Sequence, residues 1–120
     1  MLTYQEYNDY CSMLKASNHV VQWGGAHVWK VYDKVFAVGG WGDNKNPAIT
    51  FKTSELNFEI LKDEPGFRPA PYLASRGFKW IQHFEEPYVT NTKLKEFIYD
   101  SYVLVASGLS KKKQREIGIA

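Results

Sequence analysis

The chain has 120 residues, of which 44% are hydrophobic and 16% aromatic, a composition that excludes a disordered chain and fits one domain over residues 1–120. Cys11 is the single cysteine, so no intramolecular disulfide can form, and no Cys/His pair stands at zinc-ligand spacing. The net charge is +2, but four of the 15 cations (Lys111, Lys112, Lys113, Arg115) and one of the 13 anions (Glu116) lie in residues 111–116, which leaves a slightly acidic body with a basic C-terminal run.

In chain order, Thr3 and Glu6 form a capping box that starts a helix running to about Lys15, with Tyr4, Tyr7, Cys11 and Leu14 on one face. This polar start is not the layout of a signal peptide, and no apolar run approaches the roughly 20 residues that span a bilayer. His19 to Trp23 reads as a short strand, closed by Gly24-Gly25. His27–Tyr32 and Val35–Val38 flank Asp33-Lys34, which predicts a two-residue hairpin with Val31 facing Phe36, Trp29 facing Val38 and Lys30 opposite Ala37. Gly39 to Asn46 is loop chemistry. Ala48 to Lys52 alternates, with Ile49 and Phe51 inward and Thr50 and Lys52 outward.

Ser54 can cap a second helix whose apolar positions are Leu56, Phe58, Ile60 and Leu61, closed by Pro65-Gly66. Pro69 and Pro71 lack the N–H that a central strand needs, so Phe67 to Leu73 is a loop or an edge. Phe78 to Phe84 is the next strand. Thr90 or Asn91 then caps a long helix with Leu94, Phe97, Ile98, Ser101, Val105 and Leu109 on one stripe, weakening at Gly108 and Ser110. This order predicts an α+β two-layer sandwich, a mostly antiparallel sheet with its helices on one face.

Catalytic signals are absent. The glycine pairs match neither a P-loop nor a dinucleotide fingerprint and read as turns. His19, His27 and His83 are isolated in sequence, with no carboxylates arranged to complete a metal site, and His27 reads as a partly buried, hydrogen-bonded imidazole. Cys11 sits on an apolar stripe without an activating base. Glu85-Glu86 and Asp63-Glu64 read as solvated turn residues.

Between Glu64 and Glu85 there is no carboxylate, while Arg68, Arg76 and Lys79 alternate with Phe67, Tyr72, Phe78 and Trp80. Cations neutralise phosphate and aromatic faces stack on bases, so the stretch has the residue types of a nucleic-acid surface. The plainer reading is core aromatics with solvated cations; the Lys111–Arg115 run admits the same two readings.

Phe67-Arg68-Pro69-Ala70-Pro71-Tyr72 and Ser75-Arg76-Gly77-Phe78-Lys79-Trp80, with Lys34-Val35-Phe36-Ala37 before and Ser101-Tyr102-Val103-Leu104-Val105 after, resemble the MmcQ/YjbR family in order and spacing. Asp33 replaces the usual hairpin glycine, and Lys52 matches the family's strand lysine. The resemblance implies a CyaY-like sandwich, also described as a double-wing DNA-binding architecture. Frataxin-like iron binding does not carry over, because the first helix offers only Glu6 and Asp9 among tyrosines.

The expectation is a cytoplasmic, monomeric, non-enzymatic domain without metal or cofactor. It would bind DNA through phosphate contacts from Arg68, Arg76, Lys79, Lys111, Lys112, Lys113 and Arg115, with Trp80 or Tyr72 stacking. The alternative is a small-molecule or peptide module with an aromatic pocket of Trp29, Trp41, Tyr72 and Trp80.

Overall fold

The computed structural model describes residues 2–40, 48–71, 78–85 and 89–119. Its elements run α1 (Tyr4–Ser12), β1 (Ser17–Gln22), β2 (Ala26–Val31), β3 (Lys34–Gly39), β4 (Ile49–Lys52), α2 (Glu55–Leu61), β5 (Phe67–Pro69), β6 (Trp80–His83), α3 (Asn91–Ala106) and α4 (Lys111–Glu116). The strands form one sheet in the order β1-β2-β3-β4-β6-β5, with every neighbouring pair antiparallel. Tyr7 and Cys11 of α1, Phe58 and Leu61 of α2, and Leu94, Ile98 and Tyr102 of α3 join Phe51, Phe67 and Ile81 in one core. All of that core lies on one face of the sheet, so the molecule is an α+β two-layer sandwich.

Local chemistry explains most boundaries. At α1 the Thr3 hydroxyl accepts from the Glu6 N–H at 3.1 Å while Glu6 accepts from the Thr3 N–H at 3.0 Å, the reciprocal box that the spacing predicts. Ser54, Thr90 and Ser110 cap α2, α3 and α4 with a one-way bond, each hydroxyl accepting from the backbone N–H three residues on. β5 stops at Pro69 and lies at the edge of the sheet, where a missing N–H leaves no partner unsatisfied.

The hairpin differs from its predicted register. The turn is Tyr32-Asp33, with Val31 opposite Lys34 and Lys30 opposite Val35, whereas Trp29 pairs with Ala37 and Val28 with Val38. Phe36 is therefore an extra residue in β3, a bulge that turns both Phe36 and Ala37 into the core, where each is fully buried. The bulge takes the Phe36 carbonyl out of the pairing. Ser101 of α3 repairs the gap: its hydroxyl donates to the Phe36 carbonyl at 2.7 Å and accepts from the Lys52 N–H at 2.8 Å. The adjacent Tyr102 donates to the Lys15 carbonyl at 2.6 Å and meets the Phe36 ring edge-on, so this Ser-Tyr pair locks α3 to three separate segments.

Four further expectations are corrected. Helix α1 ends at Ser12 rather than Lys15, and β1 begins at Ser17 because it pairs with β2 as far as Val31. In β4, Thr50 is not outward into solvent but fully buried on the second face of the sheet. Helix α2 buries only Phe58 and Leu61; Leu56 and Ile60 lie outward, 70% and 51% exposed. The basic C-terminal run forms a short helix, held by the buried Gln114, whose amide donates to the Ser107 and Leu109 carbonyls.

Candidate nucleic-acid interface

The antiparallel order sends alternate strands to opposite ends of the sheet. At one end lie the C-termini of β2, β4 and β5 and the N-termini of β1, β3 and β6. Helix α3 reaches that end too, since Ser101 and Tyr102 bond beside Phe36, Lys52 and Lys15. Lys15, Lys34, Lys52, Lys79, Lys111, Lys112, Lys113 and Arg115 gather there, against Asp33, Glu55, Glu59, Asp100 and Glu116. The opposite end carries Glu6, Asp63, Glu64, Glu85 and Glu96 with Lys62, Lys93 and Lys95. The charge is thus separated along the strand axis, a pattern that net charge conceals.

Lys79 immediately precedes β6, and its ammonium lies 4.8 Å from the centre of the Phe58 ring. Lys113 lies 4.9 Å over the Tyr32 ring, and the Tyr32 hydroxyl donates to Glu116 at 2.7 Å. That bond raises the pKa of the phenol, and the two contacts fasten α4 to the β2–β3 turn. Lys111, Lys112 and Arg115 remain exposed. Phe78, 52% exposed, stands next to Lys79 and offers an aromatic face at the same end.

Arg68 is placed elsewhere. It lies mid-strand in β5 opposite Gln82, donates through Nε and one terminal nitrogen to Gln82 Oε1 at 2.9 and 2.7 Å, and sits 4.4 Å over the Phe84 ring. Gln82 in turn donates to Thr50 Oγ1 at 3.2 Å. The structure therefore gives Arg68 a structural part in a cross-strand polar row, away from the basic end. Arg76, Tyr72 and Trp41 lie outside the described residues.

The four-aromatic pocket is not assembled by the two members that are described. Trp29 is buried on the helix-covered face, where its N–H donates to Asn8 at 2.9 Å. Trp80, opposite Lys52, projects from the other face three strands away. A different concavity exists between the start of α2 and the middle of α3, a cleft of about 400 Å³ lined by Phe51, Thr53, Ser54, Asn57, Phe97 and Asp100 among others.

Lys15, Lys34 and Lys52 were not legible as part of a basic surface because each is a single cation at a separate strand end; only the strand order brings them together. The histidines show the same effect. His19 and His27, eight residues apart, meet across β1 and β2 with Nε2 and Nδ1 3.1 Å apart, so His27 is hydrogen-bonded as expected. Burial and the neighbouring imidazole lower the pKa of His19. Among the described residues no three His, Cys, Asp or Glu side chains converge on a metal position, and no helix is long and apolar enough to cross a membrane. Burial pushes the Cys11 thiol far above its ordinary range, leaving it protonated and without a nucleophile's character.

Comparison with known proteins agrees with this architecture. A Deinococcus radiodurans protein described as carrying the DUF419 domain is similar over 100% of this chain and 91% of its own, with a TM-score of 0.84 and 21% identity. A Pseudomonas syringae protein is similar over 87% of this chain and 99% of its own, with a TM-score of 0.69 and 20% identity. These likenesses establish a shared fold. A comparison with curated proteins finds no match. The family model for YjbR matches residues 12–104, the segment that holds the bulged hairpin, the proline-ended edge strand and the Ser101-Tyr102 lock, and the chain belongs to the YjbR family.

Proposed function

We propose that the protein is a non-enzymatic DNA-binding domain that contacts phosphates with the basic end of its sheet. The observation that carries this reading is the convergence of Lys34, Lys52, Lys79 and the α4 cations at one end, with Asp63, Glu64 and Glu85 at the other. Cations held on several rigid elements match the spaced negative charge of a nucleic-acid backbone, and the exposed Phe78 supplies a stacking face. Compared with the set expected from sequence, Arg68 drops out of the phosphate contacts and Lys15, Lys34 and Lys52 enter.

Fluorescence anisotropy with a 20-bp duplex and a 20-nucleotide strand, begun at about 50 mM salt where counterion release most favours association, tests the reading. Binding should weaken steeply with salt. The triple substitution Lys34→Glu, Lys79→Glu, Lys112→Glu should lower affinity at least about tenfold and flatten the salt slope by roughly 0.9 for each phosphate no longer neutralised. Lys62→Glu with Lys93→Glu, at the other end, should change little. No binding at low salt, or equal losses from the two variants, would sink the proposal.

A second reading has its own support in the cleft between α2 and α3, whose volume of about 400 Å³ and mixed apolar and polar lining suit a small ligand. A ligand-specific rise in melting temperature, abolished by filling the cleft with Asn57→Trp, would favour it over the DNA reading.

A further inference from the structure

Strand β1 occupies one edge of the sheet, and the pairing pattern fixes which of its backbone groups are unused. The Tyr32 N–H bonds to the Ala16 carbonyl at 2.9 Å, so the next pair, Ser17 with Val31, is of the non-hydrogen-bonded kind. Alternation then assigns the bonds with β2 to Asn18, Val20 and Gln22. The N–H and C=O groups of His19 and Val21 point away from the sheet, and both residues are exposed. Six residues long, β1 contains no charged residue, no proline and no register shift against β2, so none of the usual devices that blunt an edge is present. The other edge, β5, has three residues and ends at Pro69.

We propose that β1 pairs antiparallel with β1 of a second copy of this chain, about a two-fold axis at Val20. In that register His19 faces the second copy's Val21 and Val21 faces its His19, which joins all the outward groups of these residues in four backbone hydrogen bonds. A second copy suits the edge because the free groups lie symmetrically about Val20 and because an uncharged strand meets its own image without repulsion. Val20, which packs beside Val28 and Val38, meets its symmetry mate at the close, non-hydrogen-bonded position and adds apolar contact. One strand pair buries less surface than a tight dimer requires, so the dimer is weak and concentration-dependent. The two basic ends then point in opposite directions, so this interface is independent of phosphate binding.

Sedimentation of the full chain from about 5 to 500 μM, a range that brackets weak association, should show the mass rising from 13.8 kDa toward double that value. Amide exchange at His19 and Val21 should slow at the high concentration and not at the low one. Val21→Pro removes an outward N–H without costing a β1–β2 bond and should hold the chain monomeric with a nearly unchanged melting temperature. Val21→Lys, which places a charge on the edge and keeps the backbone intact, should do the same if proline disturbs folding. A wild-type chain monomeric at the highest concentration, or a dimer that survives Val21→Lys, would overturn the proposal.

Discussion

On the helix-covered face of the sheet Phe51 and Ile81 stand side by side under α3, with Phe51 stacked on Phe97 at 5.4 Å and Phe67 opposite the next inward residue, His83; on the opposite face Thr50, Gln82 and Arg68 form a polar row. The covered face is held by apolar area, and the Ser101, Tyr7 and Tyr102 hydroxyls on it donate to backbone carbonyls. The opposite face reverses this. There the small Ala26, Val28 and Val38 fill one side, and the stability of the other depends on a chain of side-chain hydrogen bonds that ends at a partly solvated guanidinium. A polar group therefore differs in importance between the faces according to whether water can replace its partner.

The largest effect should come from Ser101→Ala. It strands the Lys52 N–H and the Phe36 carbonyl, two backbone groups in the interior where the bulge has opened the β3–β4 pairing. Leaving the buried Phe36 carbonyl and the part-buried Lys52 N–H unsatisfied costs about 2–4 kcal/mol, enough to be read from the midpoint of a urea titration. Ser101→Thr, which retains the hydroxyl, should recover part of the loss. An alanine variant with wild-type stability would show that the bulge does not depend on α3.

That dependence also explains what the sequence could reveal. The capping box at Thr3 and Glu6, the edge position of the segment ending at Pro69 and the buried stripe of α3 are encoded within a few residues, and all three are legible. The hairpin register is not, because the bulge at Phe36 is completed by a serine 65 residues away. The same limit applies to the site. Lys79 and the Lys111–Arg115 run are visible as local concentrations of charge, whereas Lys15, Lys34 and Lys52 join them only through the strand order. Arg68 resembles its neighbours in sequence; alternation along β5 and pairing with Gln82 send it to another surface.

On the opposite face, Gln82→Met keeps the volume and removes the acceptor shared by Arg68 and the donor to Thr50. The Arg68 guanidinium is half-buried and can recover water, so mainly the buried Thr50 hydroxyl loses a partner, and the expected cost is about 1–2 kcal/mol. The comparison sharpens if this loss is smaller than that of Ser101→Ala, and breaks if it is larger. Thermal melts of both variants in one buffer decide the order.

The smallest effect should appear only as a dependence on pH. His83 is 1% exposed on the covered face, its ring 5.0 Å from Phe67, and among the described residues neither ring nitrogen has a hydrogen-bond partner. Burial lowers its pKa below the ordinary value of 6.5, an effect that outweighs the influence of the nearby Glu85 backbone. The unfolded chain then takes up its proton first as the solution is acidified. The stabilisation from the neutral imidazole is complete above about pH 6.5 and is lost as pH falls through the depressed folded value. His19, whose pKa is lowered as well, adds a slope of the same sign. Melting temperature followed from pH 7.5 to 5 should decline, and His83→Phe, which fills the same apolar position with a group that cannot titrate, should make the decline shallower while leaving the His19 contribution. An unchanged slope in that variant would mean that the covered face tolerates a charged imidazole, and that its exclusion of unpartnered polar groups is weaker than the Ser101 lock suggests.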